Sequence, residues 1–89
     1  MSANKKHAFD QWDVIGVVYE GDGIAIGGLN PWEHEWRALG YEALELAHPS
    51  YPQQRHRMFV YEIEHEKTKV TFAAGELSAN VWGFYVPRE

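Results

Sequence analysis

From Trp12 to Tyr19 the sequence WDVIGVVY sets apolar side chains on both alternate faces, Val14 and Val18 on one and Ile15, Val17 and Tyr19 on the other. A strand covered on both sides has this pattern. Glu20-Gly21-Asp22-Gly23 follows and leads into Ile24-Ala25-Ile26. Gly-Asp and Asp-Gly pairs supply the positive φ that a two-residue hairpin turn needs, so a hairpin is expected here. Further on, Phe59, Tyr61 and Ile63 alternate with Met58, Val60, Glu62 and Glu64, while Val70, Phe72 and Ala74 alternate with Lys69, Thr71 and Ala73. Pairing the two runs across a turn at 64–68 aims both apolar rows at one core and turns Glu62, Glu64, Lys69 and Thr71 to water. A bend over 74–79, containing Gly75, is expected before a last strand from Val81 to Val86 that is apolar on both faces and closed by Pro87.

Residues 30–47 carry competing signals. Asn30-Pro31-Trp32-Glu33 offers an N-cap, a proline at the first helical position and a glutamate at the third. Trp32, Trp36 and Leu39 then fall on one helical stripe, with Gly40 suited to end it, which predicts a short helix over 31–39. Tyr41 to Ala47 reads as strand or as continued helix; Gly40 before it and His48-Pro49 after it limit its length and favour the strand. His48 to Arg55 holds two prolines and is expected to be a stiff loop.

These elements predict a mainly β fold, a small single-domain barrel or sandwich of five to six mostly antiparallel strands with one short helix near 31–39. The first and last strands both read as covered on two faces. Either a pairing between the termini that closes the sheet or a homodimer interface over one of them accounts for this. Residues 1–11 carry Lys5 and Lys6 without an apolar run, and are expected to form a flexible leader rather than a signal peptide, with the domain occupying 12–89.

Composition narrows the function classes. The 89 residues are 45% hydrophobic and 15% aromatic, which disordered chains are not. Absence of cysteine excludes disulfide frameworks and thiolate metal sites and favours a reducing, cytoplasmic setting. No segment has the apolar length of a membrane span. The net charge of −5, from 13 acidic against 8 basic residues, argues against nucleic-acid binding, which needs clustered Lys and Arg, and leaves a protein partner open. Gly21, Gly23 and Gly27 do not make a dinucleotide fingerprint, because the next segment reads as strand and no βαβ unit fits.

Two groups of side chains remain as candidates. His48, Tyr51, Arg55, His56 and Arg57 gather titratable imidazoles, a phenol and two guanidiniums around the proline-rich loop, in the one basic stretch of an acidic chain. They suit a small anionic ligand or an enzymatic site. Against that stands the plain reading in which Tyr51 and the histidines satisfy the loop and the arginines pair with glutamates. Trp32 and Trp36, among Glu33 and Glu35, either plug the core or form an exposed surface for a basic protein. The five histidines lack zinc spacing, no nucleophile motif is present, and neither metal nor cofactor is expected. The reading that follows is an interaction or accessory/inhibitor module acting through an acidic, aromatic-bearing surface. The anionic-ligand or enzymatic loop at 48–57 is the alternative.

Overall fold

A computed structural model describes residues 12–40, 44–52 and 55–88, so the expected leader lies outside the described residues. Six mostly antiparallel strands form one sheet: β1 (Trp12–Tyr19), β2 (Arg37–Ala38), β3 (Leu44–Leu46), β4 (His56–His65), β5 (Thr68–Ser78) and β6 (Val81–Pro87). The order is β1-β6-β5-β4-β2, with β3 also on β4, so the sheet stays open and does not close into a barrel. The termini do pair, β1 against β6, with Trp12 opposite Pro87 and Tyr19 opposite Val81. β2 lies beside Tyr61 and Glu62, and β3 beside His56 to Met58, so two short strands share one edge of β4.

The β4–β5 hairpin follows the alternation read from the sequence except at Phe59, expected in the core row but 43% exposed. His65 pairs with Thr68 across Glu66-Lys67, and Glu66 takes a φ of 57°. Tyr61, Ile63, Val70, Phe72 and Ala74 face one core with Phe84 and Ile26. The opposite face is a second core rather than open water along its whole length, built from Met58, Ala73, Leu77 and Tyr85. The strand preferred for 41–47 is present as Leu44–Leu46, and residues 41–43 lie outside the described residues.

Four local expectations change. Gly21 does turn the chain, with the Asp22 N–H donating to the Tyr19 carbonyl at 2.9 Å, but 24–26 does not return along β1, whose partner is β6. The tight mirror-image turn is instead Ile26-Gly27-Gly28-Leu29, where both glycines have positive φ and Ile26 and Leu29 exchange backbone hydrogen bonds. The bend over 74–79 is replaced by continuous strand to Ser78, and the turn is made by Ala79-Asn80, with Asn80 at φ 63°. Within β1 the register shifts between Val14 and Gly16, leaving Ile15 as an extra residue. A bulge advances the two-residue period by one. Val14 therefore sides with its partner Tyr85 while Val18 sides with Trp82, and the two valines do not share a face.

The helix expected over 31–39 shrinks to one 3₁₀ turn, Pro31–Glu33. Its N-cap is the one read from the sequence: Asn30 Oδ1 accepts from the Trp32 N–H at 2.9 Å. The chain then extends at His34 (φ −135°, ψ 160°), so that Arg37–Ala38 can pair with β4. Ladder bonds and aromatic burial outweigh helix signals that amount to a few tenths of a kcal/mol each. Trp32 stacks on Trp82 and Phe84, with ring centroids 5.8 and 5.6 Å away, and Trp36 on Tyr61 and Phe72, both at 5.1 Å.

Candidate functional site

On the second face, glycines set the stage for the histidine loop. Gly75 pairs with Gly83, so two adjacent strands lack side chains at the same level. A Cβ at Gly75 would stand 2.5 Å from Met58 Sδ, and one at Gly83 would stand 3.4 Å from His48 Cδ2. Met58 and the His48 ring thus occupy a trough across β5 and β6. His48 is 3% exposed. Its Nδ1 accepts the Ser50 N–H at 3.0 Å, and the Tyr51 N–H donates to its carbonyl at 2.8 Å, which folds the loop back on itself.

Around His48 stand Tyr85 at 5.9 Å and Tyr51 at 6.3 Å between ring centroids, and Tyr51 in turn meets His56 at 6.1 Å. Burial holds the His48 pKa below its ordinary 6.5, and the neighbouring His56 adds to the effect. Burial likewise pushes the Tyr85 phenol above 10.0. The structure therefore brings His48, Tyr51 and His56 together and adds Tyr85. It does not bring in the arginines as a clamp. Arg57 is exposed, alternates to the other side of β4 from His56 and Met58, and stands opposite Glu45. Arg55 is exposed just before β4. Tyr85 escaped the sequence reading because it sits in a strand apolar on both faces, where a tyrosine looks like packing.

The other site is an open groove of about 570 Å³ along the β4 edge, lined by Glu33, His34, Glu35, Trp36, Arg37, Glu62 and Glu64. Extended backbone after the 3₁₀ turn sends Glu33 and Glu35 outward while Trp36 turns in. The Trp36 Nε1–H donates to the Pro31 carbonyl at 2.7 Å, so the ring is anchored and also forms part of the groove wall. Arg37 pairs with Glu62. That leaves three glutamates of the lining, Glu33, Glu35 and Glu64, with no cation partner among the described residues. His34 stacks at its mouth on His65, 5.2 Å between centroids. Trp32 does not line the groove and packs against the core. Among the described residues no group of three or more His, Asp or Glu is arranged to hold a metal ion, and no helix is long and apolar enough to cross a membrane.

Set beside protein-family models, curated proteins and solved structures, the chain matches none of them. Its class is accordingly defined by its own architecture: an open antiparallel sheet with a separate core on each face.

Proposed function

We propose that the protein is a binding module that docks a basic segment of another protein in the groove beside β4. The supporting observation is the groove lining, four glutamates and one arginine around the edge of a tryptophan. An apolar edge between charged walls is how a surface takes a Lys- or Arg-bearing segment: aliphatic stems lie along the indole edge while carboxylates meet the charges. The chain's net charge of −5 supports faster encounter with such a partner. An accessory or inhibitory role in a reducing compartment fits a cysteine-free domain of this size.

The experiment is binding of an Arg/Lys-rich peptide that carries one fluorophore, measured by anisotropy. Affinity is expected to fall as salt rises from about 0.05 to about 0.5 M, since exposed charges are screened over that range. Glu35→Lys combined with Glu64→Lys should weaken binding at least about tenfold. Glu45→Lys combined with Asp22→Lys, the same change in charge outside the groove lining, should change it little. Equal losses in the two variants would mean that net charge alone attracts the peptide, and the groove would then have no special role.

A further inference from the structure

Besides Trp32 Nε1 on the other face, three buried polar atoms have no hydrogen-bond partner among the described residues, and all three lie on the second face: His48 Nε2, His56 Nε2 and the Tyr85 hydroxyl. They belong to three separate segments, the loop after β3, the start of β4, and β6, whose rings form one continuous nest with Tyr51. His48 and Tyr85 are each 3% exposed. A buried polar group left unpaired costs about 1–3 kcal/mol, and native folds satisfy nearly all of them. Three in one nest therefore call for a function.

The protonation of the nest follows from its hydrogen bonds. Because the Ser50 N–H donates to His48 Nδ1, that nitrogen keeps its lone pair, and the proton of the neutral ring sits on Nε2. Burial keeps the ring neutral. His48 Nε2–H is thus a fixed donor, which also removes it as a metal ligand. The Tyr85 O–H can donate, and the neutral His56 ring can carry its proton on Nε2. Among the described residues, burial and the neighbouring His56 are what act on the His48 ring, and no carboxylate does. Arg55 stands exposed where β4 begins, beside His56.

We propose that this nest binds a small oxyanion, with one oxygen accepting from His48 Nε2–H and the Tyr85 O–H and His56 Nε2–H as further donors. A set of donors without an opposing carboxylate favours an anion over a neutral carbonyl compound, since hydrogen bonds to a charged acceptor are about twice as strong. Tyr51 stands at the outer side of the nest against His56. Arg55 attracts the anion, and Arg57, beside Glu45 on the other side of β4, takes no part. The site is separate from the groove and does not depend on its function.

The test follows the imidazole nitrogens of the ¹⁵N-labelled full chain by NMR while sodium phosphate, sulfate or acetate is added at an ionic strength held constant with sodium chloride. At least one anion is expected to shift the His48 and His56 signals saturably, with a midpoint near or below about 1 mM, and to raise the Tm. Tyr85→Phe, which keeps the ring and removes the hydroxyl, should weaken that anion about tenfold. His56→Gln should weaken it too, while Glu35→Lys with Glu64→Lys should leave the midpoint within about twofold, a factor worth only about 0.4 kcal/mol. Signals that drift linearly, as in chloride alone, would show that the nest holds solvent only and overturn the proposal. Undiminished affinity in both Tyr85→Phe and His56→Gln would overturn it as well, by placing the anion elsewhere.

Discussion

The face of the sheet that carries Phe72 and Phe84 is roofed by two indoles, whereas the face that carries Met58 and Tyr85 is roofed by a histidine loop. On the first face, Trp32, Trp36, Phe72 and Phe84 meet edge-on or tilted at 5.1–5.8 Å, and the Trp36 Nε1–H is satisfied by a backbone carbonyl, leaving Trp32 Nε1 as the one buried polar atom unpaired there among the described residues. On the second face Gly75 and Gly83 give up side-chain volume so that Met58 and His48 can settle on the backbone, and three polar atoms stay unpaired. The first arrangement maximises buried apolar area. The second sacrifices some of it to hold titratable groups in a dry setting. Stability and candidate chemistry are thereby divided between the two sides of one sheet.

The division can be broken most severely on the first face. Phe84→Ala removes a fully buried ring that touches Phe72 and both roofing indoles, and should cost about 3–5 kcal/mol in urea unfolding. A loss under about 1 kcal/mol would mean that the aromatic face is not the main source of stability. On the second face the two glycines should differ. At Gly75 a Cβ meets the Arg57 carbonyl oxygen at 2.6 Å as well as Met58, so backbone must shift, and Gly75→Ala should cost about 1–3 kcal/mol. At Gly83 the nearest atoms are side-chain carbons at 3.2 and 3.4 Å, which can yield, so Gly83→Ala should cost less. The reverse order would contradict the account of the trough.

The smallest effect is a pH dependence that only the second face should show. His48 has a folded pKa below its unfolded 6.5, so between those values the unfolded chain holds more protons. Its contribution to stability is complete above about pH 6.5 and declines as the pH falls through that window. Tyr85 has a folded pKa above 10.0, so its contribution is complete below pH 10 and is lost as the pH rises past it. Urea midpoints across pH should decline at both ends in the wild type. Tyr85→Phe should flatten the alkaline limb alone, with the acid limb unchanged; an unaltered alkaline limb would assign it to another group.

Local signals make part of this legible in the sequence alone. The alternation of Phe59 to Ile63 and Val70 to Ala74 gave the β4–β5 hairpin, and the Asn30 cap marked the turn at 31. What stayed hidden is non-local. Gly21 announces a turn but not which strand β1 will join, and β6 lies more than sixty residues away in the chain. Gly75 looks like a bend, yet it is a glycine because Met58 and the Arg57 carbonyl come close from β4. The Ile15 bulge reverses which face Val14 takes, and nothing in WDVIGVVY marks it beyond Gly16. Of the loop candidates, His48, Tyr51 and His56 come together in space; strand parity, unknown until β4 was placed, separates Arg57 from them.

The proposed groove is tested most directly by mapping the Arg/Lys-rich peptide onto the backbone amide signals of the ¹⁵N-labelled chain. Saturable shifts are predicted at Glu33 to Arg37, Glu62 and Glu64, together with the Trp36 indole N–H, and these should vanish in Glu35→Lys with Glu64→Lys. Shifts centred on β1 or on the His48 loop, or shifts that never saturate, would contradict it.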